Sequence, residues 1–184
     1  NVQNFSGNNM KHIMVDLETL DNSSTSCIVS IGAVLFDFEK DEVYETWYLT
    51  VDANSCVKAG LTMSPDTVLW WLKQSDEARA MFKEQGSSLD SALKLFGAWV
   101  QEHDPEGVWG NGADFDNVIL SNAYKAVGQK LPWKYYKNRC FRTLKNCFPV
   151  ELKREGTFHI AVDDAVHQMK QLKLINTTYN LNLK

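Results

Sequence analysis

The chain has 184 residues, 44% of them hydrophobic and 23% charged, which suits one folded domain and excludes a disordered or fibrous polypeptide. Its net charge of −4 argues against a uniformly basic nucleic-acid binder, yet if four of the 23 acids serve a cationic site the remaining 19 balance the 19 Lys and Arg. Cys27, Cys56, Cys140 and Cys147 form no CxxC pair and no zinc pattern, and no apolar run approaches the roughly 18 residues of a membrane span.

Residues 1–9 are polar and rich in Asn, without the basic start and apolar core of a signal peptide. Met10 leads directly into a strand pattern. It therefore reads as the natural start, with residues 1–9 a flexible N-terminal extension or expression remnant and 10–184 a single domain. The thiols read as reduced and the protein as cytoplasmic.

The first strand pattern contains MVDLETLDNS, residues 14–23. Alternation puts Asp16 and Glu18 on one face with Met14, and Ile13, Val15 and Leu17 on the other. A strand apolar on both faces is usually central in a sheet. Two carboxylates side by side there repel and lose hydration unless something cationic offsets them. A divalent metal would do so; acids at the strand's end, in water, are the plainer alternative.

Further along, CIVSIGAVLF (27–36) and EVYETWYLTV (42–51) complete an expected antiparallel meander. Helical patterns follow over 64–74, with Ser64 as N-cap and Pro65 at the first helical position, then over 76–84 and 88–103. GVWGNG (107–112) reads as a short buried strand closed by glycines. Residues 115–128 read as a helix stopped by Gly128, 132–148 as a loop or short strand followed by a helix, and 159–175 as the last helix. A meander followed by alternating helices and strands predicts an α/β or α+β domain with a mixed sheet.

Three stretches carry chemistry or binding capacity. On a helix Asp116 aligns with Leu120, Ala123 and Val127, an inward face, which leaves Asp114 as the N-cap; exchanging the two roles fits the spacing as well. His159 lies four residues before Asp163 and five before Asp164, so it meets Asp164 only if it precedes the helix. Residues 131–154 hold Lys134, Lys137, Arg139, Arg142, Lys145, Lys153 and Arg154 against Glu151, interleaved with Trp133, Tyr135, Tyr136 and Phe141. Such charges suit a single-stranded polyanion, and the aromatics read chiefly as core. Trp70 and Trp71, about 100° apart on a helix, read as core or interface anchors.

Together these residues resemble the DEDDh 3′–5′ exonucleases. Asp16-Leu17-Glu18-Thr19 is similar to their first motif. Asn111 followed by Phe115-Asp116 resembles the second, with one residue more than the usual Asn-x-x-Phe-Asp. His159-x-Ala161-x-x-Asp164 matches the third and selects Asp164 over Asp163. The wording of the chain looks closest to a bacterial and phage branch that includes proteins labelled exodeoxyribonuclease VIII and others similar to a mycobacterial 3′–5′ exoribonuclease. Where the usual first motif runs Glu-Thr-Thr-Gly, this chain has Glu18-Thr19-Leu20-Asp21.

The resemblance implies a ribonuclease H-like fold, with a mixed five-stranded sheet flanked by helices on both faces. It implies that Asp16, Glu18, Asp116 and Asp164 bind two divalent cations, Mg²⁺ or Mn²⁺, with His159 as general base. It further implies hydrolysis of single-stranded DNA or RNA, or of 3′ overhangs, from the 3′ end to nucleoside 5′-monophosphates. Thr19, Leu20, Asn111 and Phe115 are expected to touch the substrate, and Lys134, Lys137 and Arg139 to bind longer strands. Related enzymes are often homodimers. Two other readings are a non-catalytic nucleic-acid-binding protein that retains the fold, which would need a broken carboxylate set, and an enzyme that cleaves internally.

Overall fold

Aliphatic and β-branched residues dominate the first two strands, and in the computed structural model these form the middle of a five-stranded sheet. The structure describes residues 10–40 and 45–184. Strands β1 (His12–Thr19), β2 (Ile28–Phe36) and β3 (Glu45–Thr50) make the antiparallel meander. β4 (Gly107–Gly110) lies parallel to β1, and β5 (Asn138–Cys140) parallel to β4, giving the order β3-β2-β1-β4-β5. The expected fold is present: a ribonuclease H-like mixed sheet with helices on both faces. The assignment of 1–9 as an extension, and the start of the third strand at 42–44, lie outside the described residues.

The alternation of β1 sorts the core into two layers. Ile13, Val15 and Leu17 face a cluster that includes Leu93, Phe96 and Val100 of α4 (Leu89–His103) and Ile119, Leu120 and Ala123 of α5 (Val118–Ala126). Met14, on the face of Asp16 and Glu18, joins Trp109, Phe141 and the apolar residues of α7 (Ala161–Tyr179), namely Ala165, Met169, Leu172 and Ile175. Every residue of β2 is buried, as expected for a strand covered on both faces.

Several elements depart from the pattern reading. The short α1 (Ala53–Lys58), capped by Asp52 through the Asn54 N–H, falls below the length at which helical periodicity shows. α2 (Pro65–Trp71) has Ser64 and Pro65 in the expected places and ends three residues early. The segment expected to be helical over 76–84 is one turn, α3 (Asp76–Arg79), followed by a 3₁₀ turn (Ala80–Lys83). α6 is Phe141–Cys147. The last helix begins at Ala161 rather than at residue 159, because His159 adopts φ +64°, which cannot continue a right-handed helix.

Candidate active site

The site is built at the end of β1. Asp16 pairs in register with Gly32 of β2, and Glu18 with Ser30. A Cβ on Gly32 would stand 2.1 Å from the carbonyl carbon of Ala161. Only glycine lets the start of α7 press onto the sheet there, and Ala161 is fully buried against it. This contact brings Asp164 beside the two strand acids. One helical turn further, Gln168 donates from Nε2 to Oδ1 of Asp16 at 2.8 Å. The i, i+4 spacing of Asp164 and Gln168 was present in the sequence but carried no separate signal.

Asp116 comes from the turn after β4. Residues Ala113–Asn117 form a π turn, a wider helical turn that accommodates one added residue, and thus take up the extra position of the second motif. Asp116 is 2% exposed and accepts from the Leu17 N–H (3.2 Å) and the Asn111 N–H (2.9 Å). Asp114 is exposed and does not cap the helix as expected, because the chain enters the turn through Gly112 at φ +111°.

His159 sits on the loop before α7, the arrangement that convergence with Asp164 required. Its N–H donates to Oδ2 of Asp164 at 2.9 Å. Glu18, His159 and Asp164 each offer a ligand atom, all within 4.8 Å of one another. Asp163 instead turns toward the loop and accepts the Thr157 N–H at 2.8 Å.

A cleft of about 400 Å³ opens beside Glu18, with Thr19, Trp70, Trp71 and Phe115 in its lining. Asn111 is not among the residues that line it; its backbone N–H instead holds the Asp116 carboxylate. Leu20 does not line this cleft. Past the β1 irregularity at Glu18/Thr19 it turns into the core, alongside a neighbouring apolar groove. The two tryptophans divide. Trp71 is core and donates from Nε1 to the Thr19 carbonyl at 2.9 Å, whereas Trp70 is 42% exposed and its ring stands perpendicular to that of His159 at 4.9 Å.

The basic segment also divides. Lys134 and Lys137 precede β5, and because β1, β4 and β5 run parallel they lie toward the opposite end of the sheet from the acids. Lys137 pairs there with Asp104 at 3.1 Å, and the Arg139 guanidinium folds back onto the Tyr136 and Asn138 carbonyls. The three residues expected to bind longer strands are therefore not brought to the cluster. Arg142 and Lys145 of α6 are. The Arg142 charge acts on Asp116, and Lys145 Nζ reaches Oδ1 of Asn111 at 3.4 Å. Trp133 and Phe141 are buried, while Tyr135 and Tyr136 are exposed.

Burial and mutual repulsion govern the acids. Burial first, then the charges of Asp116, Glu18 and Asp164, push the Asp16 carboxyl well above the ordinary range. Burial and the charges of Asp164 and Asp116 push Glu18 up to about 8. Burial raises Asp116 to about 7, against the N–H groups of Leu17 and Asn111 and the Arg142 charge. Asp16, Glu18 and Asp116, which resist ionising, and Asp164 beside them form the hard-oxygen donor set that fits a divalent cation such as Mg²⁺ or Mn²⁺.

Solved structures with similar folds include the nuclease domain of 3′hExo, a DEDDh family member bound to rAMP. It matches with TM-score 0.65 and 12% identity, over 97% of this chain and 96% of that one. Escherichia coli exonuclease I in complex with a dT13 oligonucleotide matches with TM-score 0.65 and 15% identity, over 91% of this chain but only 41% of that one. The cell-death related nuclease CRN-4 matches with TM-score 0.58 and 13% identity, over 91% of this chain and 64% of that one. No curated protein matches in sequence. The profile of the 3′–5′ exoribonuclease Rv2179c-like domain covers residues 11–176, and the chain belongs to that family of 3′–5′ exonucleases.

Proposed function

We propose that residues 10–184 form one exonuclease domain that removes nucleotides from the 3′ end of single-stranded RNA, with single-stranded DNA a weaker substrate, releasing nucleoside 5′-monophosphates. The observation that carries this reading is the convergence of Glu18, His159 and Asp164 on one point, with Asp16 and Asp116 beside it. The preference for RNA is supported by the family's description, and single-stranded binding by exonuclease I in complex with dT13. The four free thiols support the cytoplasm as its compartment.

Asp16, Glu18, Asp116 and Asp164 hold two divalent cations in this reading. When bound, these supply positive charge to an in-line phosphoryl displacement. The protein's own groups do the rest. The backbone N–H groups of Leu17 and Asn111 fix the Asp116 carboxylate, and Gln168 fixes that of Asp16. His159 takes the proton of the attacking water, and the 3′ oxygen of the penultimate nucleotide leaves. Thr19, Trp70 and Phe115, on the cleft wall, flank the terminal nucleoside.

The test is a time course on 5′-labelled single-stranded RNA, single-stranded DNA and duplexes with 3′ overhangs, in Mg²⁺ or Mn²⁺. A ladder shortening from the 3′ end and halted by a 3′ block is expected, fastest on RNA; internal cuts past the block would sink the reading. His159→Ala should lower turnover about 10²–10⁴-fold with metal affinity nearly unchanged. Calorimetry showing chiefly weakened metal affinity would make His159 a ligand instead.

A further inference from the structure

Arg154 lies in the segment between α6 and α7 and touches the carboxylate cluster directly. Its Nη1 is 2.8 Å from Oδ1 of Asp164, and both side chains are 16% exposed. Its Nη2 donates to the Thr157 carbonyl at 2.7 Å, and the guanidinium lies 4.5 Å from the centre of the Phe158 ring. One planar cation therefore grips Asp164 and, at the same time, the two residues that precede His159. The other oxygen of Asp164 accepts the His159 N–H. Both oxygens of this acid are thus engaged by the loop that carries the histidine. Two bends in that loop depend on positive φ, at Gly156 (+78°) and at His159 itself (+64°), so His159 stays in place only while the loop is held.

We propose that Arg154 is a positioning residue with two separable effects: its charge is the resident counter-ion of Asp164 and weakens divalent-cation binding at the cluster, and its forked geometry fastens the His159 loop. This rests on the reading of Asp164 as a metal ligand and His159 as the base. The charge effect follows from Coulomb repulsion between a guanidinium and a cation that share one carboxylate at low exposure. The fastening effect follows from the two-pronged reach of arginine, which a lysine ammonium does not reproduce.

Two variants separate the effects, each measured by Mn²⁺ titration calorimetry of the metal-free full chain without nucleic acid and by amide hydrogen exchange over 154–160. Both should fold, because the loop is also held by the Lys170–Glu155 pair and by Asp163. Arg154→Met should bind Mn²⁺ about tenfold more tightly, exchange the Thr157 and His159 amides faster, and turn over about 10²-fold more slowly. A merely structural role would weaken metal binding instead. Arg154→Lys should keep wild-type Mn²⁺ affinity while sharing the faster exchange. Unchanged or weaker Mn²⁺ binding in Arg154→Met, or unchanged loop exchange in both variants, would overturn the proposal. Asp164→Asn separates the two levels: if it binds Mn²⁺ and hydrolyses RNA like the wild type, the functional reading fails whatever Arg154 does.

Discussion

Asp116 stands at once in the candidate site and in the framework of the sheet. Its oxygens satisfy two backbone N–H groups, from β1 and from the end of β4, so it ties those strands while sitting 2% exposed among like charges. Asp116→Asn keeps an acceptor and removes the charge. It should lower turnover by about 100-fold or more. At about pH 8.5, where the carboxyl would be ionised, it should also raise the melting temperature of the metal-free protein by relieving like-charge repulsion, though by less than that relief alone because the amide nitrogen cannot accept the second N–H. A well-folded variant with near-normal hydrolysis would remove Asp116 from the site and direct attention to Asp114.

The raised carboxyls also set a pH dependence. Glu18 and Asp116 hold their protons up to about 8 and about 7. In the unfolded chain such groups release them near about pH 4. The folded state binds protons more tightly, so this contribution is complete below about pH 4 and is lost as pH rises through about 7 to 8. The metal-free protein should therefore melt lower at about pH 8.5 than at about pH 5.5. Mg²⁺ should restore the melting point at the higher pH, since protons and cations compete for the same oxygens. A melting temperature that rose with pH in the presence of a chelator would contradict the assigned shifts.

At the level of elements, the decisive contact is between β2 and α7. Gly32 and Ala161 meet backbone to backbone, and the small residue of His159-x-Ala161-x-x-Asp164 is explained by that contact. Gly32→Ala places a methyl group 2.1 Å from the Ala161 carbonyl carbon, so α7 must shift outward and carry Asp164 and Gln168 with it. The expected cost is about 1–3 kcal/mol or more of stability. Hydrolysis should fall further than the smaller folded fraction explains. Denaturant unfolding together with activity per folded molecule checks this; a variant that is less stable but keeps full specific activity would show that α7 tolerates the shift. The π turn before α5 is the other element-level device, since it admits an added residue while keeping Asp116 buried.

Across the whole molecule, six of the basic residues between 131 and 154 fall in two places. Arg142, Lys145 and Arg154 gather near the acids, while Lys134, Lys137 and Arg139 lie lower along the β5 edge, with Tyr135 and Tyr136 exposed among them. Replacing Arg142 and Lys145 together with Ala should lower kcat/KM on long strands and on dinucleotides alike. Replacing Lys134, Lys137 and Arg139 with Ala should leave dinucleotide cleavage unchanged. Any strand that reaches that edge should bind less tightly, with the salt slope flattened by about 0.7 for each phosphate that is no longer neutralised. Binding measured at several salt concentrations separates the two places. Equal losses on long and short substrates from the β5-edge variant would show that this edge supports the active site itself.

The meander and the main helices were legible from the chain alone, as were Asp16, Glu18, Asp116, His159 and Asp164 as candidates, which the structure brings together. Strand alternation and helical spacing are local, and motif chemistry restricts residue type. Local spacing left Asp114 against Asp116 and Asp163 against Asp164 open; motif resemblance favoured the second of each, and the structure brings those two to the cluster. Gly32 and Gln168 stayed unread, and Trp70 was read only as a core or interface anchor, because each meets a partner distant in sequence: Ala161, Asp16 and His159. The choice among the basic residues was likewise tertiary. Seven cations within one segment are equivalent by composition; the parallel register of β5 with β4 sets Lys134, Lys137 and Arg139 apart from the acids, and the contact with Asp164 places Arg154 beside them.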